Sequence, residues 1–479
     1  MTAARMPRRP AFLTPLTGAS AKQRERVIIV VLLIVAVVYP LAYRTLQSNL
    51  GFLPWPDTAV LTVACTFAVL ALGLNIVMGF AGLLDLGYVA FYAIGAYTTA
   101  FLASGQFGIH ISWWIVVWIA VAAAAMFGIL LGAPTLRLRG DYLAIVTLGF
   151  GEIVRIVFRN LGDLTIALPA FLGGAVLIGP HANLTGGNVG INPIDPPSIP
   201  IPGPWGNQLV FSNQNPIAAF YLIVVLMILT YFFCVRLRDS KLGRAWMAIR
   251  EDETAAAAMG INTVSAKLLA FALGASFSGF AGGFTGAYQT AIFAESFNFA
   301  VSILVTIIII LGGIGSLRGV VIGAFAVQYV NLTLLRWLGE FINPPLNQLG
   351  NATGIGLLEQ FNLVTYNYLI FGLVLAVMMV KRPEGLFPDE ARKAEMHGVG
   401  VAADESAATA EEMAVAEEEI VAEESTDEEP PVGGPPGKGP RDDSPHDVQE
   451  DPHSGAEAAL MADTPPDTIR RRDLPEDTR

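Results

Sequence analysis

The sequence predicts an all-α integral membrane protein with about 10 transmembrane helices and a disordered acidic C-terminal tail. Three observations carry this reading. The 479 residues are 53% hydrophobic and only 15% charged, with a mean hydropathy of +0.54. Apolar runs near the roughly 18–20 residues that cross about 30 Å of hydrocarbon recur along the chain, and nothing shows the ~10-residue alternation of a membrane β-barrel. The net charge of −12 is unevenly spread: residues 389–479 hold 26 acidic and 8 basic residues, leaving 15 acidic and 21 basic in residues 1–388. The membrane part is therefore basic, as cytoplasmic loops that attract Lys and Arg require.

A basic N-terminus, residues 1–26 with Arg5, Arg8, Arg9, Lys22, Arg24 and Arg26, leads into the first run, Val27–Tyr43. The run is long and no small-residue cleavage site follows, so it reads as a membrane anchor rather than a signal peptide. Thr58–Met78 and Leu83–Ala103 follow, then Trp113–Leu131, a short basic loop Thr135–Asp141 with Arg137 and Arg139, and Tyr142–Phe158. After a long Pro/Gly-rich stretch, residues 160–216, come Ile217–Val235, Ala266–Tyr288, Ala300–Leu311, Val320–Leu335 and Val364–Val380. With the N-terminus inside, ten spans put the basic loops and both termini in the cytoplasm, and leave the base-poor stretches 160–216 and 339–363 outside. Two places are weak. Gly79–Gly82 alone separates the second and third spans, and Ala300–Leu311 is short and ends in glycine, so residues 79–87 and 300–319 are candidates for broken or re-entrant segments. The transmembrane domain is thus residues 27–388. The tail beyond it, rich in Ala, Glu, Pro and Ser, has too little apolar surface to fold; it reads as a solvated spacer or a protein-interaction arm, with transient helix over Val401–Glu424.

The most polar stretch inside the membrane domain is Leu237–Val264, LRDSKLGRAWMAIREDETAAAAMGINTV. It mixes Arg238, Lys241, Arg244 and Arg250 with Asp239, Glu251, Asp252 and Glu253, then runs through four alanines to Gly260. A charged, helix-competent loop in a greasy chain suits a rigid knob that a soluble partner pushes.

No enzyme constellation is present. Cys65 and Cys234 both fall in apolar runs and read as small buried hydrophobes, and the five histidines show no metal spacing. The phosphate-loop lookalike GGPPGKG, Gly433–Gly439, has Gly where Ser or Thr must hold magnesium and lies in the tail. Glu152 and Arg155 share a helical face inside an apolar span, which is either a structural pair or part of a pathway. Asn75 and Asp85 flank the glycine break, as caps and packing groups or as groups facing a path. Lys267 and Arg318 read as snorkelling anchors on the positive side.

Five blocks in order resemble the M-type permease subunit of branched-chain amino acid ABC importers. They are LGLNIVMGFAGLLDLGYVAFYAIGAY (Leu72–Tyr97), LRLRGDYLAIVTLGFGEIVRI (Leu136–Ile156), LGRAWMAIREDETAAAAMGIN (Leu242–Asn262), KLLAFALGASFSGFAGG (Lys267–Gly283) and LGGIGSLRGVVIGA (Leu311–Ala324). The resemblance implies a prokaryotic cytoplasmic-membrane protein that is not an enzyme. It would work with a second homologous permease subunit, two cytoplasmic ATP-binding subunits that supply ATP and Mg chemistry, and an extracytoplasmic solute-binding protein. It implies no cofactor or metal on this chain and no nucleic-acid partner. The polar loop then looks like the ATPase-coupling segment, with Glu253, Ala255, Ala256 and Gly260 matching the family's E-A-A-x-x-x-G pattern but one residue longer. Gly260 would end the Ala helix with positive φ. Two departures stand out: the loop Thr185–Ile191 has Asn188-Val189 where the family commonly has Pro-Asn, and Ile166–Asn183 precedes it as an insertion. Importing urea or short amides is the alternative within the family; a stand-alone secondary transporter or channel is the alternative outside it, and leaves the polar loop without a role.

Overall fold

The computed structural model describes residues 37–43, 45–49, 54–135, 141–162, 164–167, 176–200, 208–353, 361–381 and 386. All lie in one compact unit, Met1–Asp404; the other unit, Glu405–Arg479, lies outside the described residues. So do most of the first expected span, the loop bearing Arg137 and Arg139, and the tail expected to be disordered.

The described chain is mostly helical. Helix α1, Thr58–Asn75, starts where the Asp57 carboxylate accepts the Thr58 N–H at 2.6 Å, and it runs on through a π-helical turn, Ile76–Phe80. Then come α2 (Val89–Leu102), α3 (Trp113–Thr135), α4 (Asp141–Asn160) and α5 (Pro216–Arg238). The polar loop folds as two short helices, α6 (Lys241–Glu251) and α7 (Glu253–Ala258). Helix α8 (Thr263–Gln289), α9 (Phe299–Gly312), α10 (Leu317–Tyr329), α11 (Leu335–Thr353) and α12 (Asn367–Lys381) complete the set, with a π turn Val330–Leu334 joining α10 to α11. Five helical stretches among the described residues are long and apolar enough to cross a membrane: Thr58–Phe80, Trp113–Thr135, Pro216–Arg238, Thr263–Gln289 and Leu317–Leu349. Val89–Leu102, Phe299–Gly312 and Leu363–Met378 are shorter apolar helices.

Three differences from the sequence reading have plain causes. The third run begins as helix only at Val89, six residues late, because Asp85 and Gly87 spend their hydrogen bonds in an irregular segment. The ninth run does not stop at Leu335 but stays helical to Thr353, through Pro344 and Pro345. There Leu335, Leu338 and Ile342 repeat at helical spacing with Arg336, Glu340, Asn343 and Asn347 on another face, an amphipathic pattern that hydropathy alone misses. Finally, the all-α expectation omits three two-stranded antiparallel ribbons in the connections: β1 (Ala103–Ser104) with β2 (Ile109–His110), β3 (Leu164–Ala167) with β4 (Val176–Ala182), and β5 (Ser198–Pro200) with β6 (Gln208–Val210). The expected insertion therefore contains all of β4 and the last two residues of β3.

Helix α8 is the hub, packed on α1, α2 and α3. Its side toward them is built from small residues, so backbones touch: a Cβ on Gly95 of α2 would sit 2.2 Å from the Gly279 carbonyl oxygen, and one on Gly279 would sit 2.4 Å from the Ala124 Cβ of α3. Small residues at helix contacts are the packing device of lipid-embedded bundles, where no hydrophobic force drives helices together. The Trp113 indole donates to the Gly283 carbonyl at 3.0 Å and the Tyr88 hydroxyl to the Gly274 carbonyl at 2.8 Å, so α8 is also held by hydrogen bonds. The far side of α3 carries Trp118 and Leu130, both over 60% exposed; large exposed apolar faces are rare on water-soluble monomers and suit lipid.

Replacing Gly95 by Val should destabilise the bundle by about 1–3 kcal/mol through overpacking. Thermal unfolding in detergent, followed by size-exclusion recovery, should show a lower midpoint for this variant than for Gly149→Val, whose site has open space.

Candidate functional site

The polar loop forms a knob with an inward and an outward side. Ser240 caps α6, its hydroxyl accepting the Gly243 N–H at 3.2 Å. Gly243, Trp246 and Ile249 recur at helical spacing and are buried. Trp246 is fully enclosed, and its indole donates to the Ala266 carbonyl at 2.7 Å, pinning α6 to the first turn of α8. Asp252 caps α7 by accepting from the Thr254 and Ala255 N–H groups at 2.7 and 3.0 Å. The alanine helix then ends in a two-bond closure: Gly260 donates to Ala257 and Ile261 to Ala256, with Gly260 at φ 85°, a conformation that suits glycine because an L side chain is crowded there.

Of the four loop residues picked out by sequence, Ala256 points inward and Ala255 and Gly260 are exposed. Glu253 makes a 2.6 Å ion pair with Lys267, which is nearly buried. Lys267 is thus a partner that fixes α7 to α8 rather than a free snorkelling anchor. The outward side of the knob shows Leu242, Met247 and Met259, the last 84% exposed, among its charges.

The second element is the irregular segment between the π turn and α2. Ala81, Asp85, Gly87 and Tyr88 in it are buried, and buried backbone groups need partners. Ala81 donates to Ile76 and Leu83 to Val77; the Leu86 N–H goes to the Thr147 hydroxyl of α4 at 3.1 Å, that of Gly87 to Asp85 Oδ1 at 2.9 Å, and that of Val89 to the Ser302 hydroxyl of α9 at 3.1 Å. Asn75 is fully buried and its Oδ1 accepts the Gly315 N–H at 2.9 Å. Asn75 Nδ2 and Asp85 Oδ2 are buried without a hydrogen-bond partner among the described residues.

Glu152 and Arg155 lie apart from this segment, toward the C-terminal end of α4. They pair at 2.8 Å, and Arg155 also bonds Glu295, at 2.8 Å, in the one-turn helix Ala294–Phe297 after α8. Arg159 reaches the same Glu295 at 3.4 Å. This cluster sits at the opposite end of α8 from the knob. Between the two, α2, α3 and α4 border a half-open apolar concavity of about 410 Å³, lined by Ile94, Tyr97, Phe127, Phe150, Val154 and Phe158. The Tyr97 ring stacks on Phe158 at 4.0 Å, and its hydroxyl is buried without a partner among the described residues. The structure therefore joins Glu152 to Arg155, but gives Asn75 and Asp85 separate partners on separate elements.

Several participants escape the sequence reading. Thr147, Ser302 and Glu295 act on chain segments far from their own, and no local pattern marks them. Arg250 was legible in part: it follows the buried Gly243–Trp246–Ile249 stripe and so belongs to the inner side of α6. Its target, the Gly79 carbonyl, was not.

A family model described as branched-chain amino acid transport system / permease component matches residues 58–380, from the start of α1 to the end of α12. The chain belongs to this family. It is similar to the high-affinity branched-chain amino acid transport system permease protein LivM of Escherichia coli, 36% identical over 394 residues, which are 79% of this chain and 78% of the relative. It also resembles LivH of Salmonella typhimurium, 28% identical over 272 residues (55% of this chain, 79% of the relative). A probable branched-chain amino acid transport permease protein LivM of Methanocaldococcus jannaschii is 24% identical over 279 residues (57% and 68%). No solved structure matches significantly. The match of this permease covers the knob, the irregular segment and the ion cluster alike, but not the tail.

Gly260→Ala should fray the end of α7, because a side chain at positive φ costs about 1–2 kcal/mol. Hydrogen exchange of the Ile261 amide, which closes the helix onto Ala256, should accelerate roughly fivefold or more, while the Trp246 indole proton stays protected.

Proposed function

We propose that this chain is the membrane-spanning permease subunit of an ATP-driven importer of branched-chain amino acids. Family membership and the similarity to LivM support the transported class. The observation that carries the mechanism is the knob: a capped, two-helix projection, fixed on its inner side and apolar at Leu242, Met247 and Met259 on its outer side. A chain without a nucleotide motif needs such a handle if its energy arrives from outside. In this reading two cytoplasmic ATP-binding subunits hold ATP and Mg and dock on α6–α7, where Ala255 and Gly260 are exposed for contact and Ala256 and the Glu253–Lys267 pair fix the segment from within. A second, homologous permease subunit lines the pathway together with this one, and an extracytoplasmic solute-binding protein delivers the solute.

The topology that goes with this reading has ten spans in residues 27–388. Both termini lie in the cytoplasm, the knob lies inside, and the ribbon-bearing stretch 160–216 lies outside. Residues 389–479 then form a cytoplasmic tail. ATP closes the partner dimer and holds it closed, so its binding favours one orientation of the spans over the other; that differential contact is what moves the equilibrium. Asn75 and Asp85 border the pathway at the irregular segment. The Glu152–Arg155 pair, extended by Glu295, stands at its far end.

Co-expression with ATP-binding subunits of such an importer tests the reading. The wild-type chain should copurify with an ATPase, and Glu253→Lys or Gly260→Pro should lose it; Glu253→Lys sets a second cation against the buried Lys267 as well as altering the contact segment. Proteoliposomes holding the complete complex should accumulate leucine, isoleucine or valine only with internal ATP. Uptake driven by an ion gradient without ATP would sink the importer reading, and uptake of urea but not leucine would reassign the cargo.

A further inference from the structure

The π turn that ends α1 leaves a carbonyl without its helical donor. In a regular α-helix the Gly79 oxygen would accept the N–H of residue 83, but the Leu83 N–H reaches back to Val77. The guanidinium of Arg250, from the inner side of α6, takes that oxygen instead. A cation on the carbonyl end of a helical segment is also favoured by the backbone dipoles. The Arg250 stem lies over Gly82, where an added Cβ would come within 2.9 Å of its Cγ. On the other side it adjoins Gly315, where an added Cβ would be 3.6 Å from Nη1 and 3.7 Å from the Gly79 oxygen. Gly315 in turn donates to Asn75 at 2.9 Å. One side chain of the knob thus bonds the broken end of α1 and packs over the start of the irregular segment, beside the α9–α10 turn that Asn75 holds.

Its anchor on the other side is independent. Trp246, one turn earlier on α6, is bonded to the Ala266 carbonyl of α8. Any displacement of α6 therefore bears on two places at once: the hub helix, through Trp246, and the irregular segment, through Arg250. The segment is the softer of the two, because side chains rather than a continuous helical ladder satisfy its backbone.

We propose that Arg250 is a positioning residue for transport: it transmits movement of the α6–α7 knob to residues 79–88 by holding the Gly79 carbonyl. This rests on the importer reading above, and its failure is separable from that reading's. The knob can dock an ATPase through its outer side whether or not Arg250, on the inner side, is intact.

The test uses the complete complex in proteoliposomes and reads leucine taken up per ATP hydrolysed, with ATPase copurification as the assembly control. Arg250→Ala should leave the ATPase subunits bound and lower the uptake-to-hydrolysis ratio roughly tenfold or more, the factor expected for one charge-assisted hydrogen bond. Arg250→Lys, which still offers an ammonium to Gly79, should recover a ratio between that of Arg250→Ala and wild type. Gly82→Ala, which pushes on the Arg250 stem, keeps the charge and also strains the segment at φ 70°, should lower the ratio in the same direction and serves where Arg250→Ala does not assemble. A wild-type ratio in assembled Arg250→Ala complexes overturns the proposal, as does a wild-type ratio in Gly82→Ala complexes should Arg250→Ala not assemble. If the wild-type chain binds no ATPase subunit at all, the importer reading itself falls, whatever Arg250 does.

Discussion

Away from water, every backbone N–H and C=O must find a partner inside the protein, and the rest of this structure depends on that constraint. It makes the long apolar stretches helices, since a helix satisfies its own ladder. It also decides what happens where the ladder stops. Residues 81–88 leave the helical pattern; the donors of Leu86 and Gly87, and of Val89 where α2 begins, are met by Thr147 of α4, Asp85 of the segment itself and Ser302 of α9. The Gly79 acceptor is met by Arg250 of the knob. A break in one helix thereby becomes the place where distant elements are joined.

Close packing makes those meetings possible. Helix α8 brings glycine and alanine to its neighbours, and where Gly95 faces Gly279 the two backbones touch without side chains between them. With spacing this short, a hydroxyl or an indole on one helix reaches a carbonyl on the next, as Tyr88 and Trp113 do. Larger residues at the same positions would hold the helices apart and leave those donors short of their acceptors.

Among the described residues, two clusters of charge lie at opposite ends of α8. At one end lies the knob, with Glu253 and Lys267 paired, Arg250 turned inward to Gly79, and Asp239, Lys241, Arg244, Glu251 and Asp252 exposed. At the other, Arg155 and Arg159 gather on Glu295, which also holds Glu152's partner in place. The concavity between them is lined almost wholly by apolar side chains.

Much of this was legible in the residues themselves. Apolar run length sets the helices of Thr58–Phe80, Trp113–Thr135, Pro216–Arg238 and Thr263–Gln289 to within a few residues, because burying a backbone in lipid leaves few other choices. The alanine run and Gly260 mark a short helix and its end, because capping is local chemistry. The i, i+3 spacing of Glu152 and Arg155 puts them on one helical face for the same reason. The late start of α2, the Glu295 bridge, the Lys267 pair and the grip of Arg250 on Gly79 are not local. Each joins residues that only the packing of helices brings within 3 Å or so. Sequence by itself determined which stretches are helical and where the polar loop interrupts them, since those follow from hydropathy and turn chemistry along the chain. Tertiary structure alone decided which distant side chain completes the break in α1, since an unmet carbonyl takes whichever donor the fold sets beside it.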